Sequence, residues 1–412
     1  MSRFSARFAA LFGPVLLGPV LLGVALLVSG CASPRDYGPV PAIAPSVTIL
    51  TTPERPTLSP PALPEGFSGP TAEFEAVALL PSVRVAGQPG FAGFTECLPS
   101  WNIDAPEGTG FRVEMRVGME RALPDSLRGE LRDAPSHAAM FWSPWMYVGE
   151  WGSLTPRGPR PGDDVPPGAK DPPMGFELPW GSGDIETDFF VARGSALFSA
   201  VQLRVRAISQ RAGQTVTLRR AAYCFTDTRP EVVVADVGTV SAGNPVLVDV
   251  PFRTQKTPDP KLSGRLCSPT SVAMVVSHFA SPVTTKQSAE LAYDARFDIF
   301  GNWPRNVQAA HAMGVPGYLT RFSRWAEVEA TFREGRPIIA SIRVAPGELR
   351  GSPYRETDGH LIVLTGIDAE GNITAADPAV GDEARGKLVY RREDLERVWL
   401  GRGGGTAYVL GR

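Results

Sequence analysis

Histidine and cysteine are scarce in this chain, four of each among 412 residues. The histidines are scattered, and neither paired cysteines nor an HExxH spacing accompanies them, so the sequence offers no ligand cluster for a metal. Excess charge of either sign is missing too: 41 basic residues face 43 acidic ones, the formal net charge is −2, and no long basic tract occurs. Phosphate-backbone binding needs such a footprint, so nucleic acid is not expected as a partner. A phosphate loop is also missing, and no nucleotide or other cofactor is expected. Beyond the first 31 residues there is no apolar run long enough to span a membrane.

What the chain has in abundance is glycine and proline, 43 and 40 residues. About one residue in five is one or the other, which implies many turns, short strands and at least one unfolded connector, and disfavours a helical bundle. At 43% hydrophobic the chain is that of a folded protein. Roughly 100 to 200 residues per domain suggests two domains or three, far too much chain for a disulfide-stapled miniprotein.

Residues 1–31 begin with Arg3 and Arg7, run apolar from Phe8 to Val28, and finish Val28-Ser29-Gly30-Cys31. A charged start, an apolar middle and a small-residue end form a secretory signal. Pro14 and Pro19 argue against a retained helix. The ending resembles a bacterial lipobox. That implies a signal peptide over 1–30, diacylglycerol on Cys31, and an exported lipoprotein anchored to the membrane and facing the periplasm or the cell exterior. Ala32 after the lipidated cysteine, where Asp would signal inner-membrane retention, implies the outer membrane. Ten prolines then lie between Pro34 and Pro70, with few large apolar residues. Residues 31–72 therefore read as a semi-extended tether.

From 73 to 236 the dominant period is two. Phe111, Val113, Met115 and Val117 alternate with Arg112, Glu114 and Arg116, and Val201, Leu203 and Val205 alternate with Gln202, Arg204 and Arg206. One buried and one wet face per strand predicts an all-β sandwich. Eight prolines near 153–182 predict a long inserted loop. Trp101, Trp142, Trp145, Tyr147, Trp151 and Trp180 can be read as a flat surface for glycan stacking or as ordinary core packing. Asp184, Glu186 and Asp188 alternate, which suits either calcium or a solvated face. Cys97 and Cys224 lie near the two ends of this domain, so in an oxidising compartment a disulfide between them and a pair of unpaired thiols are both open readings.

From 248 to 412 the texture changes to helices followed by strands, an α+β arrangement. Ser268-Pro269 opens a helix whose apolar face carries Val272, Ala273, Val275, Val276 and Phe279. Cys267 therefore stands at a helix N-terminus, where partial positive charge favours the thiolate. Further helices are predicted over Thr285–Tyr293, Asn302–Met313 and Ser323–Glu334. Strands follow at Pro337–Arg343, Leu361–Ile367, Ile373–Ala376, Leu388–Arg391 and Thr406–Leu410. Ala369-Glu370-Gly371-Asn372 joins two of these strands as a hairpin. His360 precedes the first and Asp377 follows the second, near the same end of the sheet but a few residues out of direct opposition. An imidazole can take a thiol proton, and a carboxylate on its other nitrogen fixes the tautomer. His278, His311 and His137 are less well placed for that role.

Four blocks carry a resemblance: Val250-Pro251-Phe252-Arg253-Thr254-Gln255, Cys267-Ser268-Pro269-Thr270-Ser271-Val272-Ala273-Met274, Gly359-His360-Leu361-Ile362-Val363-Leu364-Thr365-Gly366, and Asp377-Pro378-Ala379. Together they resemble the papain-like cysteine peptidases of family thirty-nine, the bacteriocin-leader peptidase-like group. The resemblance implies a papain-like domain over 248–412 that cleaves peptide or isopeptide bonds through a thioester. Cys267 would be its nucleophile, His360 its base and then acid, Asp377 its orienting acid, and Gln255 an oxyanion-hole donor beside the Cys267 N–H. Ser268 departs from the family's usual Gly and would narrow the cleft. The transporter segment and ATPase of leader-processing exporters are not found in the sequence. Two other functions compete: a transglutaminase-type acyltransferase with the same triad order, and a non-hydrolytic envelope lipoprotein that binds glycan or protein through its sandwich.

Overall fold

A computed structural model of the chain describes residues 37–67, 73–85, 88, 91–122, 138–163, 165, 169 and 171–411. The expected signal peptide, Cys31 and His137 lie outside them. The chain divides into two units, 1–38 and 39–412, and every element below belongs to the second. That unit is mostly β-sheet with some helices.

The period-two segments of the N-terminal half build two antiparallel sheets. The first contains β1 (Ser46–Thr51), β2 (Thr57–Leu58), β5 (Glu96–Asp104), β9 (Gly175–Leu178), β10 (Gly181–Glu186), β11 (Phe189–Ala192) and β13 (Val216–Thr226). Its order is β1-β13-β5-β11-β10-β9, with β2 also on β13. The second contains β3 (Ala76–Leu79), β4 (Val83–Arg84), β6 (Thr109–Ala122), β7 (Ala138–Trp142), β8 (Met146–Gly152) and β12 (Ala200–Ser209). Its order is β3-β12-β6-β7, with β4 on β12 and β8 on β6. Phe111, Val113, Met115, Val117, Val201, Leu203 and Val205 share one apolar cluster with Cys97, Trp101, Tyr223 and Phe225 of the first sheet.

Two expectations about connectors need correction. Ser46–Thr51, inside the stretch read as a tether, is an edge strand whose residues pair in register with Thr226 back to Ala221. Val47 and Ile49 share one face there with Thr51, and β-branched residues fit a pleated surface well enough to override the flanking prolines. The insertion read over 153–182 also ends early, because Gly175–Leu178 and Gly181–Glu186 pair as a hairpin.

The charged faces expected to be wet are buried. Arg206 and Glu114 are both 0% exposed and meet at 2.8 Å, and Arg206 also binds Glu75 at 2.8 Å and the Gly158 carbonyl at 2.7 Å. Arg204 holds Glu114 and both carboxylate oxygens of Asp163, the latter at 2.8 Å. A buried charge costs several kcal/mol unless it is paired. Here Gly158 and Asp163, from the segment following β8, supply part of the pairing.

Cys97 and Cys224 are free thiols, contrary to the disulfide reading. They sit on neighbouring strands one register step apart, Cys97 opposite Phe225 and Cys224 opposite Leu98. Successive side chains alternate between faces. Cys97 therefore enters the two-sheet core while Cys224 and Leu98 enter a different cluster, and the bond geometry cannot be met.

The C-terminal half contains α1 (Pro260–Ser263), α2 (Cys267–Phe279), α3 (Thr285–Ala292), α4 (Trp303–Ala312), α5 (Trp325–Arg333) and α6 (Arg392–Leu395). Thr284 and Gln287 form a capping box on α3, and the Asn302 side chain caps α4. The third sheet contains β14 (Val246–Leu247), β15 (Gly317–Arg321), β16 (Ile338–Val344), β17 (Thr357–Ile367), β18 (Ile373–Ala376), β19 (Lys387–Tyr390) and β20 (Thr406–Leu410). Its order is β15-β20-β16-β17-β18-β19, with β14 on β17. The sequence reading missed β15, whose partner β20 lies far along the chain.

The outer face of the first sheet packs on this half. Leu98 and Cys224 share a cluster with Val272, Met274 and Ile339. Ser100 Oγ accepts the Leu319 N–H at 2.9 Å, and the Gln308 amide brackets Ile103, accepting its N–H at 3.0 Å and donating to its carbonyl at 2.7 Å. That docking explains why β5 is buried on both faces.

Candidate active site

Cys267 is the first residue of α2, preceded by Leu266, whose side chain makes no capping bond. Ser268 was expected to cap this helix and, as a departure from Gly, to narrow the cleft. Instead it is buried, and its hydroxyl shares a 2.8 Å hydrogen bond with the Tyr408 phenol. Tyr408 lies on β20, so the extra side chain is accommodated in the core.

His360 was expected just before a strand and lies within β17. The register pairs Val363 with Ala376. Continued one step, it sets Asp377 across from Ile362 and diagonal to His360, a separation that long side chains can close. His360 Nε2 lies 2.8 Å from Asp377 Oδ1. With Nε2 so engaged, Nδ1 is the nitrogen available to Cys267, whose thiol pKa His360 lowers.

Asp377 is fully buried and fully satisfied. Oδ1 also accepts the Ala379 N–H at 2.9 Å, and Oδ2 accepts the phenols of Tyr354 at 3.0 Å and Tyr390 at 2.9 Å. Sequence reasoning missed both tyrosines. Tyr390 lies in a strand that was read correctly, but nothing in its alternation marks it as a carboxylate's partner. Tyr354 lies in a connection without periodic signal.

The electrostatics follow from these contacts. Burial pushes the Asp377 carboxyl up, but the bond and charge of His360, the Ala379 N–H and the Tyr390 phenol outweigh it and leave the pKa below the ordinary value. Burial would lower His360, yet Asp377 and Cys267 raise it to about 10. Burial raises Cys267 as well, and His360 with the N–H groups of Leu361 and Ser268 brings it below the ordinary thiol value of 9.0. With the thiol below 9.0 and the imidazole near 10, the proton resides on His360 and the pair is thiolate–imidazolium. Burial and the Asp377 charge both raise the Tyr354 and Tyr390 phenols, which keeps them protonated as donors.

Gln255 packs beside this group, its N–H donating to Pro378 O at 2.8 Å. Its side-chain nitrogen donates to Ser263 O at 2.6 Å, and its Oε1 is buried without a hydrogen-bond partner. The amide is therefore anchored to the last residue of α1, shortly before Cys267. A carboxamide nitrogen carries two hydrogens, so one remains for another acceptor.

The other singled-out residues do not gather into a site. Asp184 pairs with Arg193, whereas Asp188, beyond the turn at Thr187 (φ 67°), is buried and accepts the Trp303 N–H at 2.6 Å. Burial and the nearby Asp294 raise its pKa to about 7 despite that bond. Among the described residues no group of three or more His, Cys, Asp or Glu is placed to hold a metal. Trp101, Tyr147 and Trp151 are buried. Trp142 and Trp145 flank the Arg116 guanidinium at 4.6 and 4.7 Å, and Trp180 packs on Phe176, Phe141 and Phe198. These aromatics form no flat exposed row.

No curated protein matches the chain. Residues 237–407 match the model of the Peptidase_C39 like family, starting before Val248 so as to include Val240, which packs in the core of the third sheet. That match supports a C39-like peptidase domain in the C-terminal half and, with it, a cysteine peptidase function.

Proposed function

We propose that the protein is a lipid-anchored cell-envelope cysteine peptidase that cleaves peptide or isopeptide bonds through a thioester acyl-enzyme. The observation that carries this reading is Cys267 at the start of a helix, its thiol pKa lowered by His360, which is itself hydrogen-bonded to Asp377. The Cys267 thiolate attacks the scissile carbonyl carbon, and the developing oxyanion takes hydrogen bonds from the Cys267 backbone N–H and the free hydrogen of the Gln255 amide. Removing one such donor typically costs about a hundredfold or more. Imidazolium Nδ1–H then protonates the leaving amine as the C–N bond breaks, which leaves the thioester. Water, losing its proton to the now neutral His360, attacks the thioester, and the acid product and the thiolate–imidazolium pair are released. Asp377 holds the imidazole's tautomer and orientation throughout.

In this reading the two N-terminal sheets form an all-β sandwich, preceded by a removed signal over 1–30, a lipidated Cys31 and a tether that ends ahead of β1. The substrate is a peptide or protein of the envelope, reached from an outer-membrane anchor. Treating the purified protein with a peptide-based thiol electrophile and mapping the adduct tests the enzyme. The adduct is expected on Cys267, with buried Cys97 and Cys224 untouched in folded protein. An inert Cys267 beside a labelled Cys97 or Cys224 would overturn the reading.

A further inference from the structure

Between β16 and β17 the chain makes an excursion, Ala345–Glu356, that the chemistry above does not use. Its middle is held tightly. Leu349 is buried in the same cluster as Tyr390 and Trp399. Glu348 binds Arg402 at 2.8 and 2.9 Å. Arg350 docks bidentately on Asp394, Nε to Oδ2 and Nη2 to Oδ1, both at 2.8 Å. Asp394 is itself fully buried, while Arg350 is 52% exposed, and Arg397 shares the same carboxylate. Gly347 and Gly351, at φ +79° and +83°, supply the left-handed turns on either side. Four residues past the Arg350 anchor stands Tyr354, whose phenol donates to Asp377 Oδ2 and whose ring lies edge-on to His360, centroids 5.0 Å apart at 73°. Asp377 Oδ2 thus takes one donor from the regular strand β19 and one from this excursion.

We propose that Ala345–Glu356 is a positioning strap: the Arg350–Asp394 pair delivers Tyr354 to Asp377 and His360, and the catalytic geometry is complete only while the strap is docked. This rests on the peptidase reading. A phenol donating to a carboxylate favours its ionised form, and hydrogen bonds to charged groups are among the stronger ones in proteins. Undocking withdraws that donor and, with it, the ring that packs against the imidazole. Proton transfer suffers in rate, while the surface that holds the substrate is unchanged.

The test is the pH dependence of peptide turnover by the intact protein in Tyr354→Phe, Arg350→Ala, Arg350→Lys and the double variant Tyr354→Phe/Arg350→Ala. Tyr354→Phe is expected to lower kcat about tenfold at every pH of the plateau, with KM nearly unchanged. Arg350→Ala should reproduce this loss, Arg350→Lys should recover part of it, and the double variant should be no worse than the poorer single one. Arg350→Gln replaces Arg350→Ala if the latter fails to fold. A Tyr354→Phe profile superimposable on the parent's, an Arg350 variant indistinguishable from the parent, or effects that multiply would overturn the strap. Wild-type protein with neither turnover nor a reactive Cys267 would instead sink the peptidase reading beneath it.

Discussion

Replacing Cys267 with alanine is expected to abolish peptide hydrolysis, and His360→Ala to lower kcat by on the order of 10³-fold or more. The first removes the atom that forms the thioester. The second removes both the charge that holds Cys267 as thiolate and the acid that protonates the leaving amine. Cys267→Ser should be almost as inactive, because a hydroxyl stays protonated where a thiol does not. Turnover of a mixed peptide library, followed by mass spectrometry, measures all three. In the parent protein activity should rise with pH as the thiolate forms below the ordinary thiol value, and fall as His360 loses its proton near 10. Retained hydrolysis in Cys267→Ala would assign the activity elsewhere.

Asp377→Ala carries the second large effect, on stability as well as rate. Its carboxylate accepts four hydrogen bonds in a fully buried position: from His360, the Ala379 N–H, Tyr354 and Tyr390. Deleting it strands two phenols, an amide and an imidazole away from water, a loss of about 3–5 kcal/mol in the range seen when one partner of a buried ion pair is removed. Asp377→Asn keeps the shape but turns an amide nitrogen toward donors. Its stability loss should be smaller, while kcat falls on the order of 10³ to 10⁴-fold, because the imidazole is left in the wrong tautomer. The pH dependence has a definite sign. The Asp377 pKa is depressed on folding, so its contribution is present above the ordinary carboxylate range and disappears as pH falls through the lowered folded value. The His360 pKa is raised, so its contribution is complete below 6.5 and disappears as pH rises through about 10. The gap in melting temperature between parent and Asp377→Asn should therefore be widest between those limits and close at both ends.

Much of the candidate site was legible because its residues sit at element boundaries that local signals mark. Ser268-Pro269 and the apolar spacing after it located the start of α2, although the helix begins two residues earlier than a Ser N-cap would place it. The 369–372 turn brought His360 and Asp377 to one end of the sheet, the bulge between Leu364 and Gly366 removes one residue of the offset that counting from the turn left between them, and the side chains close the remaining diagonal. Illegible were the contacts that depend on distant chain. Tyr354 reaches Asp377 from the connection between β16 and β17, Tyr390 reaches it from β19, and Tyr408 on β20 meets Ser268 of α2, and no local period reports which oxygen a phenol will meet.

In the N-terminal half the period-two pattern gave the strands but misjudged their second face. Arg204 and Arg206 alternate with apolar residues as solvated positions would, and are buried because Glu75, Glu114 and Asp163 neutralise them from elsewhere in the chain. Cys97 and Cys224 looked pairable by position in the sequence. Their register, one step out, is set by strand pairing that sequence spacing does not encode.

Ionisation of the Cys267 thiol is best followed by its alkylation rate with iodoacetamide as a function of pH, in the parent protein and in His360→Ala. The parent should show thiolate reactivity persisting below the ordinary thiol range, and His360→Ala should shift that titration upward, because burial then acts without the opposing imidazolium. A Cys267 that titrates at or above the ordinary thiol value in the parent, unmoved by His360→Ala, would contradict the thiolate–imidazolium pair and the peptidase chemistry built on it.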